Sequence, residues 1–439
     1  MIDLNLLDDI LKLNLGVSQE GNKTTLDMLQ SVVPFEIKRF PTGIEHNGWI
    51  IPHKWVVKKA VIRKNGKVLF DGMVHPMAVA GYSSPFNGTV SKKVLDQHLF
   101  FTKKFPKAYA YHCMNNYRPW AKHWGFCVPY DICRKWTSGN YQIDLDTDFI
   151  KDEMVVGELH HEGASPETLV FNAHTCHTCQ ANDGLAGVMV ILELFKWLKG
   201  RKTNFSYRGV IGPEHIGTVF YINSLSPEDL ARLKLGVFVE MIGSKTPWVL
   251  QKSFTGQSII DKVSEYVLRK YQSKLKVGDF RTVVGNDETV WEAPGVEMPM
   301  VSISRWPYKE YHTSEDNVKI MSPDKINESL EVLKDMVMIF EQDRTIQRKF
   351  KGLIALSNPK YNLYIERPDP VVKKKIKLED LRLGQLQDGL LRYFDGKRTI
   401  FEIAQIFNVP FNQLLDHLKK FEEKDLVDLA PVSSFERYR

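Results

Sequence analysis

Little in this chain marks it out at first sight, and each scarcity excludes something. Its 439 residues hold five cysteines, Cys113, Cys127, Cys133, Cys176 and Cys179. That is too few and too uneven for the disulfide framework of a secreted scaffold, so a reducing, cytoplasmic setting is expected. No apolar run reaches the roughly 18 residues of a membrane helix, so no membrane span is expected. The opening MIDLNLLDDILKLNLG has early aspartates and no cationic stretch ahead of an apolar one, unlike a secretory signal. Nor is there a commanding excess of one charge sign: 59 basic and 53 acidic side chains leave +6, spread along the chain, where a nucleic-acid footprint would be dense and local. The clearest basic run, Lys373 to Lys377, reads as a solvated linker or edge strand. What is present is ordinary globular material, 43% apolar and 26% charged, in a length that suits two or three domains.

Three zones follow along the chain. Residues 1–40 read as one or two helices, with apolar spacing in LLDDILKLNL and TTLDMLQSVV and with Asn22 and Thr24 as plausible caps. Residues 41–150 turn to short extended runs punctuated by Gly, Pro and Asn, a β-rich insertion. From 151 the pattern is α/β: EMVVGELH and TLVFNAHTC are extended, 183–199 reads as a helix, YRGVIGP as a strand, EHIGTVFYINSL as a helix and LKLGVFVEMIG as a strand. Such alternation predicts a largely parallel or mixed sheet covered by helices, with a site beyond the carboxyl ends of the strands.

That rule gathers scattered polar residues. TLVFNAH leads to His174 and His177, then Asp183; YRGVIGP leads to Glu214 and His215; GVFVE ends in Glu240; His312 follows SISRWPYKEY. Imidazoles and carboxylates are the donors zinc takes in a catalytic site, where one position stays open for water. Amide hydrolysis also needs a base within reach to pass a proton to the leaving amine, and Glu214 is the candidate. Singly, each residue has a plainer reading: a loop histidine is commonly a surface or hydrogen-bonding group, and Asp183 could be the N-cap of its helix. Glu240 between apolar strand residues is harder to dismiss, since a buried carboxylate must be compensated. Cys176 and Cys179 have CxxC spacing, but no second CxxC exists and three residues separate the pair from the helix read at 183, so a structural zinc or redox role is set aside.

In order and context these residues resemble the aminopeptidase-like di-zinc peptidases, which include bacterial leucyl aminopeptidases. There a first His follows a strand, a bridging Asp lies in an AND or ADD segment opening a helix, and a Glu-Glu pair supplies base and ligand. A later Asp or Glu and a late His complete the set. The resemblance implies His177 or His174 as first donor, Asp183 of ANDGLAG as bridge, Glu214 as base, His215 in place of the second Glu, then Glu240 and His312. The sequence also resembles a narrower bacterial branch in PTGIEHNGWIIPHKW, GYSSPF, NNYRPWAKHWGFCVP and a Gly-x-Asp-Glu segment around Gly285 to Glu288. The branch's CH-containing segment before AND favours His177 over His174.

The fold implied is an α/β three-layer sandwich of the zinc-aminopeptidase (phosphorylase/hydrolase-like) kind, formed by 1–40 and 151–345 with 41–150 inserted. The function implied is a zinc-dependent aminopeptidase or related amidohydrolase holding one or two Zn2+ and acting on a small peptide or amide substrate. Its alternative is an inactive relative that binds, or serves surface-polysaccharide biosynthesis. Arg118, His123, Asp287 and Tyr311 are the expected substrate-binding residues, with Trp120 and Trp124 either lining the cleft or in the core.

Residues 350–439 are organised differently. Helices over about 383–394, 399–407 and 411–423, a turn at Asp395-Gly396, a Thr399 cap and a short extended DLVDL look like a winged helix. Its third helix would read DNA, but FNQLLDHLKKFEEKDL carries as many acids as bases, and phosphate contacts need positive charge. A protein partner or homo-oligomer contact is the expected use.

Overall fold

The computed structural model describes residues 3–113, 115–366 and 378–438. The basic run at 373–377 lies outside the described residues. Two compact units are present: Met1–His161 with Thr168–Arg201 and Tyr207–Lys334, and Glu162–Glu167 with Lys202–Ser206 and Asp335–Arg439.

The first unit is built on an eight-stranded mixed sheet. Its strands in chain order are β1 (Glu36–Pro41), β2 (Glu153–His161), β3 (Thr168–His174), β4 (Ser206–Gly212), β5 (Leu233–Val239), β6 (Trp248–Gln251), β7 (Lys276–Gly278) and β8 (Met300–Arg305). Across the sheet they run β1-β2-β4-β3-β5-β8-β6-β7. The centre is parallel, β3 with β5 and β5 with β8, while β1, β2 and β6 pair antiparallel. Every residue of β3, β4 and β8 is buried, which is why these strands read as runs without polar alternation: both faces are covered. The helix Ala186–Leu198 supplies much of that cover, burying Met189, Val190, Ile191 and Leu192. It lies so close to the end of β5 that a Cβ on Gly187 would sit 1.9 Å from the Val239 carbonyl oxygen, so no side chain fits there. Among the described residues no helix is long and apolar enough to cross a membrane.

The N-terminal helices are Leu4–Leu11, capped by the Asp3 carboxylate, and Glu20–Leu29. The second begins before both expected caps. Asn22 instead lies buried within it, accepting from Gly16 N at 2.8 Å and donating to the Thr175 carbonyl, and so braces the loop after β3. Between β1 and β2 the chain forms a four-stranded antiparallel sheet, Lys67–Asp71, Lys54–Lys64, Asn140–Ile150 and Phe86–Ser91 in spatial order. Trp124 belongs to its core, stacked on Phe86 at 4.4 Å and His98 at 3.7 Å, whereas Trp120 is 62% exposed.

In the second unit, helices Leu378–Leu390, Ile400–Phe407 and Phe411–Glu423 accompany a three-stranded antiparallel sheet of Asp395–Thr399, Arg344–Arg348 and Val427–Pro431. Thr399 and Glu402 form a reciprocal capping box at the middle helix. The first helix starts earlier than its apolar spacing suggested, and Asp395-Gly396 opens a strand, with Gly396 at φ +73°.

Candidate metal centre

His174 is the last residue of β3 and Glu240 follows β5, so two neighbouring parallel strands deliver their terminal side chains to one place. Asp183 comes from the wide turn Ala181–Leu185, and His312 from the loop after β8. The two oxygens of Asp183 face different partners. Oδ1 lies 3.6 Å from His174 Nε2, which is itself 3.6 Å from Glu240 Oε2. Oδ2 lies 3.1 Å from His177 Nε2 and 3.3 Å from His312 Nε2. Two donor groups result, His174–Asp183–Glu240 and His177–Asp183–His312, sharing one carboxylate.

The residues fit metal ions on two grounds. Imidazole and carboxylate are zinc's nitrogen and oxygen donors. Glu240 is fully buried, and its Oε1 has no hydrogen-bond partner, a cost that a cation would remove. The other Glu240 oxygen accepts from Asn286 Nδ2. His177 directs Nδ1 at the Thr178 carbonyl at 2.9 Å, which turns Nε2 toward Asp183, the side on which a metal would bind; His174 Nδ1 faces Cys176 Sγ at 3.4 Å.

The turn carrying Asp183 is held from several sides. Asp316 accepts from Asn182 N at 2.7 Å and Asp183 N at 3.1 Å, and Tyr308 donates to it at 2.7 Å. Asn182 Oδ1 accepts from the backbone of Gly243 and Ser244 just beyond Glu240, at 2.8 and 3.1 Å. Asp183 itself has φ −80°, ψ 77°, and Gly184 has φ +110°, ψ −66°, open only to glycine. Aromatic rings back the donors: Tyr111 stacks on His177 at 4.0 Å and Tyr311 on His312 at 3.8 Å.

Glu214 follows β4. Tyr117 donates to its Oε2 at 3.4 Å, and Cys176 Sγ lies 3.9 Å from the same oxygen. Burial, reinforced by the Asp287, Asp183 and Glu240 carboxylates and opposed by His174, pushes its pKa up to about 8. A carboxyl so placed keeps a proton near neutrality in the metal-free protein, and nearby cations would draw it back down.

The structure brings together His174, His177, Asp183, Glu240 and His312. His174 and His177 are therefore not alternatives: each stands in a group of its own, and the strand-end His174 is the one beside Glu240. His215 belongs to neither group; its ring lies 3.6 Å from Glu214 Oε1 and 3.5 Å from Asp287 Oδ1. Asp287 is fully buried and accepts from His215 N and Thr218 Oγ1, so its oxygens are spent inside the fold rather than offered to a ligand. Tyr311 is half-buried against His312, while Arg118 and His123 are exposed on the inserted region. Sequence reasoning missed Asp316, Asn182 and Tyr111. Asp316 lay in plain view in YHTSEDN, four residues after His312, but nothing local marks it as a brace. Cys176 and Cys179 stand outside both donor groups as free thiols. A cavity of about 450 Å³, counting space open to solvent, reaches Cys176 and His177 past Leu15, Trp55, Met77 and Tyr111.

Residues 4–343 match the family model described as Domain of unknown function (DUF4910). A Clostridium acetobutylicum protein described as a candidate polysaccharide biosynthesis protein with an aminopeptidase-like domain is 26% identical over 344 residues, 78% of each chain. Among solved structures, a candidate peptidase from Clostridium acetobutylicum superposes with a TM-score of 0.80 at 24% identity, covering 97% of this chain and 96% of its own. A zinc aminopeptidase from Bacillus subtilis superposes at 0.58 with 13% identity, covering 76% and 92%. The fold is thus an α/β sandwich resembling zinc-aminopeptidase structures. With the candidate two-metal donor set, it supports a metal-dependent hydrolase in general terms.

Proposed function

Because this chain belongs to the DUF4910 family over residues 4–343, we propose that it is a two-zinc aminopeptidase or related amidohydrolase. The observation that carries this reading is Asp183, a buried carboxylate whose two oxygens face two separate imidazole-containing groups. His174, Asp183 and Glu240 would hold one ion, and His177, Asp183 and His312 the other. Zinc bound there supplies a Lewis acid for the amide carbonyl and lowers the pKa of water.

The chain's own residues do the rest. Glu214, set between Tyr117 and His215, takes a proton from the attacking water and delivers one to the leaving nitrogen. Asp316 and Asn182 hold the turn so that Asp183 keeps both oxygens directed at the donors. Tyr111 and Tyr311 keep the rings of His177 and His312 in place and, with Trp49 and Tyr117, give the site an aromatic border suited to the apolar part of a substrate. The described relative's link to polysaccharide biosynthesis supports an amide on a modified sugar as a substrate class beside a short peptide. Free cysteines suit a reducing, cytoplasmic compartment. We read the second unit as a winged-helix module for a protein partner or a second copy of the chain.

Elemental analysis after zinc dialysis tests the reading, together with hydrolysis of aminoacyl p-nitroanilides and N-acetylated amino sugars. Two zincs per chain, both lost in Asp183→Ala, support it. A folded protein that takes up no metal refutes it and leaves the non-catalytic binding role.

A further inference from the structure

His215 was expected among the metal donors, and the fold gives it another position. It is the central residue of a three-residue turn in which Ile216 N donates to the Glu214 carbonyl at 2.7 Å. The turn needs φ +55°, ψ −65° at His215, a sparsely populated and strained conformation for a residue with a Cβ. Strain of this kind persists only where surroundings impose it, and it concentrates at working sites. Here Asp287 imposes it. That carboxylate accepts the His215 backbone N–H through Oδ1 and the Thr218 hydroxyl through Oδ2, fastening the turn to the start of the next helix.

The consequence lies in the ring. Its Nδ1 is 3.5 Å from Asp287 Oδ1 and its Nε2 is 3.6 Å from Glu214 Oε1, ion-pair contacts rather than hydrogen bonds in the resting protein. Catalytic contacts are often long until substrate closes them. Asp287, already accepting two hydrogen bonds, favours a proton on Nδ1, which leaves Nε2 as an acceptor facing Glu214. A single proton taken up by the Glu214–His215 pair can then sit on the carboxyl or on the ring. Trp49 at 6.2 Å and Tyr117 at 5.8 Å between ring centroids border the imidazole. The titratable and charged groups facing it are Glu214, Asp287 and Tyr117, with Arg281 and His174 further off. Burial pulls the His215 pKa below the ordinary imidazole value, Asp287 opposes that, and Arg281 and His174 add to it. A ring neutral at rest is one that can accept a proton.

Resting on the proposed hydrolase reading, we propose that His215 is a positioning and proton-holding partner of Glu214, oriented by Asp287, and not a metal donor. Hydrolysis adds one water across the amide C–N bond. The step starts with Glu214 ionised beside the cations and His215 neutral; as the new C–O bond forms, Glu214 takes one proton from the water and passes it to His215 Nε2. As the C–N bond breaks, that proton returns through Glu214 to the leaving nitrogen. One proton is taken and one delivered, so no outside donor is required.

The test uses the whole chain with two readouts. Zinc per chain is measured after zinc dialysis in wild type, His215→Gln and His215→Asn, the last because Asn tolerates positive φ if Gln does not fold. The His215 ring 15N shifts, assigned by their loss in these variants, are followed against pH in wild type and Glu214→Gln, with and without zinc. Unchanged zinc stoichiometry, plus an inflection in the His215 Nε2 shift that Glu214→Gln removes, is the expected result. Loss of a zinc in both His215 variants would make it a donor and overturn the proposal. Superimposable His215 curves in wild type and Glu214→Gln would reduce it to a structural residue and overturn it equally. A wild type that binds no zinc defeats the hydrolase reading alone, because the ring shifts in the zinc-free protein still report whether the pair is coupled.

Discussion

Replacing Gly184 with alanine is the sharpest probe of how the site is built. Gly184 has φ +110°, ψ −66°, and a Cβ there would lie 2.6 Å from the His174 carbonyl oxygen, 2.8 Å from its Nδ1 and 2.9 Å from its Cε1. Against a comfortable contact of about 3.5 Å, the overlaps are about 0.9, 0.7 and 0.6 Å. Neither neighbour has an easy retreat. The carbonyl belongs to the end of the buried strand β3, and the ring is enclosed by Cys176, Asp183 and Glu240. The backbone conformation alone costs about 1–3 kcal/mol for a residue with a Cβ, and overpacking a filled interior adds about 1–3 kcal/mol. A loss near 4 kcal/mol follows, and at about 2 °C per kcal/mol for a large unit the melting temperature should fall by about 8 °C. A metal site needs its donors within about 0.5 Å of the productive geometry. The displaced His174 should therefore release the ion of its own group even at a temperature where the variant stays folded. Differential scanning fluorimetry and elemental analysis of Gly184→Ala measure both effects. Wild-type melting and wild-type zinc content together would refute the argument.

Other perturbations separate the two groups and the charges around them. Glu240→Gln should drop one zinc per chain and, in the zinc-free protein, raise stability by about 1–3 kcal/mol, since it removes the charge of a fully buried carboxyl group whose Oε1 has no partner; denaturant melts in chelator check the sign. The His312 side chain is 36% exposed and stands at φ +53°, whereas those of His174, Asp183 and Glu240 are at most 4% exposed. Zinc titration should therefore show a tight step and a step at least about tenfold weaker, and His312→Ala should abolish only the weaker; a single step of two ions contradicts this. Burial raises the carboxyls of Glu214 to about 8, Asp316 to about 8 and Glu288 to about 7. The native zinc-free chain then holds protons that the unfolded chain has released, so these groups favour the fold fully below about pH 4 and lose that contribution as pH rises to 8. Melting in chelator should be lower at pH 8.5 than at pH 5.5, and zinc should restore more at the higher pH; the reverse order would refute the assignment.

Much of the architecture was legible because burial writes itself into composition. TLVFNAH and LKLGVFV contain hardly a polar residue between their ends, which only a strand covered on both faces allows, and the donors then had to lie where those strands stop. Glu240 was singled out in that way, and Asp183 by its place at a helix start and by the family resemblance. Asn22 was misread as a cap because its local setting resembles one, while its true partners, Gly16 and Thr175, are supplied by the folded chain. Asp316 was invisible for the same reason. Its three donors come from the Asp183 turn and from Tyr308, and no local pattern records such convergence.

The histidines show where linear reasoning reaches its limit. A strand-end rule places His174 and His215 alike, each following or ending a strand, and gives no reason to prefer His177. The backbone decides between them. A Cys-containing loop and the turn at Asp183 bring His177 Nε2 to 3.1 Å from the shared carboxylate, while the strained turn at His215 points its ring at Glu214 and Asp287 instead. His177 thereby stands in the second donor group, where the resemblance had led to an expectation of His215. The donor set then has two carboxylates and three imidazoles where the family pattern has three carboxylates, one negative charge fewer to offset the same cations. In a site this buried the missing charge is not supplied by water. A neighbouring carboxyl able to supply it is Glu214, which interacts with Asp183 and Glu240 and whose ionisation the bound ions would favour, so metal binding and readiness of the base become linked through electrostatics alone.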